Sequence, residues 1–233
     1  MSVVDLDKPK IQKADDAIIR SCVCGSDLWA YSAGDSKQKH SINDGHEAIG
    51  IVEEVGESVT TVKPGDFVIV PFTHGCGHCP ACLAGFNGVC VDHDDNFSIG
   101  AQSQYLRFQH ADWALVKVPG SPVDYSERVL KSLLTLADVM ATGYHAAKTA
   151  HVKPGDKVVV GDGVVRPGGF IGRVGLPHGA RMDPAETFYR NVTLAGGPAS
   201  VTTYDKEVLL KTVLDGQINP GNVVYFYFAT NNK

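Results

Sequence analysis

Four cysteines, Cys76, Cys79, Cys82 and Cys90, stand in the segment C-G-H-C-P-A-C-L-A-G-F-N-G-V-C at spacings C-x2-C-x2-C-x7-C. Thiolates this close along a Gly-rich loop can close a tetrahedron. Zinc suits them because it binds thiolate strongly, demands no redox change, and in a structural site leaves no open position. An iron–sulfur cluster is the alternative for four Cys, but ferredoxin runs have other spacings and no Pro follows the last Cys here. His74 and His78 flank the loop and could compete as ligands, but read first as solvated loop residues, since four thiolates already complete the coordination. The six Cys of the chain are few and clustered, which favours a metal in a reducing compartment over a secreted disulfide scaffold.

A second set is dispersed along the chain: Cys24-Gly25-Ser26-Asp27, Gly45-His46-Glu47 and Ala137-Asp138. Singly each is bland, because a lone Cys is usually a small buried hydrophobe and a lone Asp a surface residue or helix cap. Together they resemble the zinc-containing medium-chain alcohol dehydrogenase family, in which a C-x-S-D element, a G-H-E element and a downstream acidic or Cys residue meet around catalytic zinc. The four-Cys lobe stands at the family's position. The resemblance continues through L-A-D-V-M-A-T-G-Y-H-A-A at 136–147 and V-V-R-P-G-G-F-I-G-R-V-G at 164–175.

The resemblance implies two zincs per chain, with Cys24, His46 and Asp138 as ligands of the catalytic one and Glu47 approaching it during ligand exchange. Three protein ligands leave a fourth position for water or an alcohol oxygen, whose pKa falls toward neutrality. By resemblance Ser26 relays the alcohol proton toward solvent, and Thr142 and Gly143 lie near the nicotinamide of NAD or NADP. Asp27 suits a carboxylate that holds the His46 ring in its ligating tautomer. Where the family often has a His two residues after that Asp, this chain has Trp29, which removes a relay group and adds an apolar wall. Phe72 reads as a second wall, and Cys22 as structural.

The elements that must position these residues read first as short strands, Ala17–Arg20, Ala48–Val55, Phe67–Val70, Tyr105–Phe108 and Leu115–Val118, separated by turns. Lys63-Pro64-Gly65-Asp66 is a turn feeding a strand, since Pro sets φ and Gly accepts φ > 0. Many short strands with such turns favour an all-β barrel or sandwich. From Ser126 the texture turns helical: Val129, Leu130, Leu133, Leu134 and Leu136 recur at helical spacing after a Ser126 cap, and Gly143–Thr149 continues as a second short helix. Lys153-Pro154-Gly155-Asp156 then repeats the turn and launches Lys157–Val160, an apolar run of the type buried in parallel sheets.

In a complete member of the family, a Rossmann unit with a G-x-G-x-x-G turn would come next. Here Gly161-Asp162-Gly163-Val164-Val165-Arg166 keeps two glycines, Gly161 and Gly163, and lacks the third. No acidic residue comes after it at a strand end, since Asp183 and Glu186 lie in a loop-like R-M-D-P-A-E-T segment. The dozen or more residues of a βαβ crossover do not fit between Val160 and Phe170. Relative to the family, the N-terminus starts late and Val223–Phe228 is unlike the returning tail. The expectation is a mainly β chain: a GroES-like β-barrel catalytic domain over 1-135, then a truncated α/β Rossmann remnant over 136-233. That remnant is expected to hold Val158–Val160, Phe170–Val174, Val192–Ala195 and the helix near Lys206–Leu214. Val192–Ala195 matches a family strand at a subunit edge, so a homodimer or homotetramer is expected.

With 233 residues, 43% hydrophobic and 20% charged, the chain supports a sizeable core. A net charge of −5 without a Lys/Arg block argues against nucleic acid or membrane as partner. No run approaches the roughly 18 apolar residues of a span, and M-S-V-V-D-L-D-K-P-K lacks a signal-peptide plan, which places the chain in the cytoplasm. Two functions compete: a zinc-dependent dehydrogenase acting on a small alcohol or aldehyde with NAD or NADP, and a zinc-binding remnant that holds no dinucleotide.

Overall fold

The computed structural model describes residues 7–19, 45–92, 100–160, 165–175, 184–199 and 202–223. Five antiparallel strands form one sheet: β1 (Ala17–Ile19), β2 (Ala48–Val55), β3 (Phe67–Val70), β4 (Leu106–Phe108) and β5 (Val116–Val118), in the order β4-β1-β2-β3-β5. All five lie where short strand-like runs between turn residues predict them, each end within a residue or two. The register of β1 on β2 slips between Ile18 and Ile19, a bulge that bends the sheet.

Because side chains alternate across a strand, β3 serves two cores at once. Val68 and Val70 join Ala17, Ile19, Val52, Leu106 and Phe108 on one face. Phe67 and Ile69 join Val116, Val118 and the apolar stripes of two helices on the other. Those helices are α3 (Glu127–Thr135) and α6 (Thr203–Leu214). Ser126 caps α3 by accepting from the Val129 N–H, as its sequence predicts, and Thr202 caps α6 in a reciprocal box with Asp205. Between them in sequence runs α4 (Val139–Thr149), which starts four residues before the predicted Gly143.

The short elements α1 (Pro80–Leu83) and α2 (Ala111–Ala114) lie within the first part of the chain, and α5 (Pro184–Tyr189) in the second, where a loop is predicted. Strands β6 (Phe170–Arg173) and β7 (Thr193–Gly196) pair in parallel with each other alone among the described residues.

Two expectations fail. Lys157–Val160 is not a buried strand: it has no sheet partner among the described residues, and Val158, Val159 and Val160 are 56%, 66% and 101% exposed. An apolar segment gains nothing from strand geometry without a neighbour to accept its hydrogen bonds and a helix layer to cover it. The helix near Lys206–Leu214 forms, but its apolar face, Leu209, Leu210 and Val213, packs into the core shared with β3, β5 and α3 and not onto β6 and β7. No helix among the described residues is long and apolar enough to cross a membrane.

Candidate metal centres

The four predicted thiols converge. The Sγ atoms of Cys76, Cys79, Cys82 and Cys90 all lie within 4.8 Å of one another, and all four residues are buried. Sequence explains the convergence. Cys79 caps α1, its sulfur accepting from the Cys82 N–H, and Pro80 occupies the first turn where its missing N–H costs nothing. Gly75 and Gly77 let the loop close: a Cβ on Gly75 would stand 2.7 Å from the Cys82 sulfur, and Gly77, at φ +79°, lies flat against the Trp113 ring.

Two observations test whether zinc suits this lobe. Cys79 Sγ and Cys90 Sγ are 3.7 Å apart. Zinc–sulfur bonds of about 2.3 Å give a tetrahedral edge of about 3.8 Å, whereas a disulfide needs about 2.05 Å. Backbone N–H groups also aim at sulfur: Cys79 N–H at Cys76 Sγ (3.3 Å), Cys82 N–H at Cys79 Sγ (3.4 Å) and Cys76 N–H at Cys90 Sγ (3.5 Å). The N–H groups of Cys82 and Val91 pull the Cys79 thiol down to about 6, while burial pushes Cys82 up to about 12. The residues suit zinc.

The flanking histidines differ from each other. His78 is solvated as predicted, its Nε2 2.9 Å from Asp92. His74 is not: it is 2% exposed, with its ring edge-on to Phe108 at 5.5 Å and 5.7 Å from His110. It lies just past β3 and turns into the sheet's core, a position that strand alternation carried past Val70 would have hinted at.

The dispersed set converges in part. His46 Nε2 lies 3.3 Å from Asp138 Oδ2, and buried Glu47 offers a carboxylate oxygen within 4.8 Å of both. Charge-assisted hydrogen bonds run at about 2.7–2.9 Å, while the edge of a tetrahedron with zinc–nitrogen and zinc–oxygen bonds near 2.1 Å is about 3.4 Å. The 3.3 Å separation fits two ligands that could hold one ion. Asp138 reaches His46 across 92 residues because the Phe72 N–H, just past β3, donates to the Ala137 carbonyl at 2.9 Å. The Phe72 ring stands edge-on to His46, at 6.1 Å, as an apolar wall.

Thr142 lies one helical turn after Asp138, and its hydroxyl donates to Asp138 Oδ1 at 2.5 Å. The spacing i, i+4 on a helix carries that signal in the sequence, beside the resemblance that places Thr142 near a nicotinamide. Gly143 opens onto free space. Cys22, Cys24, Ser26, Asp27, Trp29, Gly161 and Gly163 lie outside the described residues.

A family model described as the alcohol dehydrogenase GroES-like domain matches residues 15–120. These are the residues that supply the five-stranded sheet, the four-Cys lobe and His46. Over residues 15–120 the chain is similar to that domain. The uncharacterized zinc-type alcohol dehydrogenase-like protein AdhB of Bacillus subtilis is 37% identical over 175 residues, 68% of this chain and 45% of that protein. The glutathione-independent formaldehyde dehydrogenase of Pseudomonas aeruginosa is 34% identical over 61% of this chain and 38% of its own length. The chain thus spans less than half the length of these curated relatives. Among solved structures, alcohol dehydrogenase TADH from Thermus sp. ATN1 shares the fold at a TM-score of 0.79, with 21% identity over 96% of this chain and 88% of that one. The zinc dependent alcohol dehydrogenase 2 of Streptococcus pneumonia gives a TM-score of 0.75 at 26% identity, over 96% of this chain and 86% of that one.

Proposed function

We propose that this chain carries the zinc-binding half of a dehydrogenase that moves hydride between a small alcohol or aldehyde and NAD or NADP. The observation that carries the reading is the 3.3 Å approach of His46 Nε2 to Asp138 Oδ2 beside buried Glu47, at the family's ligand positions. Cys24 completes the ligand set by its place in the C-x-S-D element, and Cys76, Cys79, Cys82 and Cys90 hold the structural zinc. Bound at His46 and Asp138, zinc supplies a Lewis acid that polarises the substrate oxygen.

The chain's own residues do the rest. Phe72 limits water at the site and gives the substrate carbon an apolar wall. Ser26 is the hydroxyl through which the substrate proton leaves, and Asp27 orients the His46 ring. Glu47 is the spare carboxylate during ligand exchange. Thr142 and Gly143, with open space over Gly143, would lie beside a nicotinamide if one were bound. Gly161 and Gly163 are what the chain offers to the cofactor's phosphates. Four thiolates suit a reducing, cytoplasmic setting, and β7, paired on one side only among the described residues, offers an edge through which a dimer or tetramer assembles.

A second reading is favoured by one observation: β6 and β7 form a two-stranded sheet and Val158–Val160 stands exposed, so the described residues hold no layered dinucleotide domain. On that reading the chain binds zinc and small alcohols without turning over. The purified chain, given excess NAD or NADP and a panel of short alcohols and aldehydes, decides between them. Change in nicotinamide absorbance with micromolar cofactor binding by calorimetry is the expected result for a dehydrogenase. Neither signal, in protein holding two zincs, leaves the zinc-binding reading standing and overturns the enzyme.

A further inference from the structure

Asp138 occupies the N-cap of α4, where an Asp ordinarily turns its carboxylate onto the helix's first N–H groups and stabilises it by about 1 kcal/mol. It makes no such bond, and its backbone, at φ −143° and ψ −74°, is away from the extended geometry of a capping residue. The two side-chain caps at α3 and α6 behave ordinarily: Ser126 and Thr202 have extended backbones and accept from the N–H three residues on. The Asp138 carboxylate is therefore diverted, and both of its oxygens are accounted for: Oδ1 accepts the Thr142 hydroxyl at 2.5 Å and Oδ2 lies 3.3 Å from His46 Nε2.

Thr142 departs from the local pattern too. Helical Ser and Thr hydroxyls usually bond back to a carbonyl on the preceding turn. In this chain Ser132, Thr149 and Thr212 do so, to Arg128, His145 and Val208. The Thr142 hydroxyl goes to a carboxylate instead, while its N–H donates to the Asp138 carbonyl at 2.7 Å. Residues 138 and 142 are thus tied twice, through the backbone and through the side chains.

We infer that Thr142 is a positioning residue for the catalytic metal: its hydroxyl engages Asp138 Oδ1 and leaves Oδ2 turned toward the cation beside His46. This rests on the reading of His46 and Asp138 as zinc ligands. That hydrogen bond at Oδ1 holds the carboxylate in the rotamer that presents Oδ2 beside His46. Groups that orient a ligand in this way typically contribute about 10–100-fold in metal affinity.

The test compares Thr142→Val and Thr142→Ser with the parent chain, reading zinc affinity by chelator competition and the visible bands of the cobalt-substituted site. Thr142→Val is expected to keep the four-Cys zinc, to weaken the second zinc about 10–100-fold, and to shift the cobalt bands; Thr142→Ser restores both. Thr142→Ala is read the same way if valine disturbs helix packing. If the parent holds two zincs and Thr142→Val holds them with unchanged affinity and unchanged bands, the inference is wrong and the metal site stands. If the parent itself takes up one zinc, the site reading fails and the inference falls with it.

Discussion

Lys206, on the core-facing side of α6, is 4% exposed, and burial pulls its amino group down to about 8 against the weaker pull of Asp205 in the other direction. Asp205 itself is engaged elsewhere, by the Lys148 ammonium at 2.8 Å and the Thr202 hydroxyl at 2.9 Å. Burial alone would raise the Asp205 carboxyl; those hydrogen bonds outweigh it and hold the group below the usual range. The two neighbours therefore act in opposite directions on stability. Asp205 stabilises the fold above the ordinary carboxylate range, and that contribution is lost as pH falls through its lowered pKa. Lys206 is charged in the folded chain only below about 8 but stays protonated when unfolded up to about 10.5. Stability thus rises with pH across that window, where the unfolded chain binds the extra proton. Lys206→Met is expected to raise the urea midpoint at pH 7, with an advantage that shrinks between pH 8 and 10.5. A lower midpoint at pH 7, with no pH dependence of the difference, would show that the amino group is not the destabilising feature.

At the scale of elements, Lys63–Asp66 and Lys153–Asp156 form an instructive pair. Each has the sequence K-P-G-D, each has its Gly at φ +91°, and in each the Asp carboxylate accepts the Lys N–H, at 3.0 and 2.8 Å. The turn is local chemistry and forms twice. The fate of the apolar run after each turn depends on its neighbours: Phe67–Val70 finds β2 on one side and β5 on the other, while Lys157–Val160 finds no strand among the described residues. Asp66 is moreover anchored by Lys117 of β5 at 2.9 Å, a contact the second turn does not share. Asp66→Ala is therefore expected to lower stability by about 1–2 kcal/mol in chemical unfolding, and Asp156→Ala to stay within about 0.5 kcal/mol. Equal losses would contradict the distinction. The same contrast explains what was legible in the residues alone. The five strands, the Ser126 cap and the Cys lobe are written in apolar runs between turns, capping chemistry and spacing, all of them short-range. The packing of α6, the burial of His74 and the exposure of Val158–Val160 depend on which segments meet, and a pattern that reads as a buried strand stays the same when its covering layer is missing.

For the whole molecule, the two halves are built to different standards. The described residues up to about 150 contribute, together with α6, to two cores with β3 buried on both faces between them. The segment from Lys153 to Gly197 leaves Val158–Val160, Phe170, Phe188 and Tyr189 exposed, and each large apolar side chain left in water forgoes about 1.5–3 kcal/mol. The chain spans less than half the length of the curated relatives it matches, and β6 and β7 pair with each other alone among the described residues. The claim on which everything else depends is that the chain holds two metals of different kinds, one closed among four thiolates and one beside His46 and Asp138. Zinc content per chain, measured after exhaustive dialysis, tests it most directly. Two zincs are expected, falling to one in His46→Ala and in Asp138→Ala while the remaining zinc is lost with Cys79→Ser or Cys90→Ser. One zinc per chain, unchanged by His46→Ala and Asp138→Ala, would contradict it.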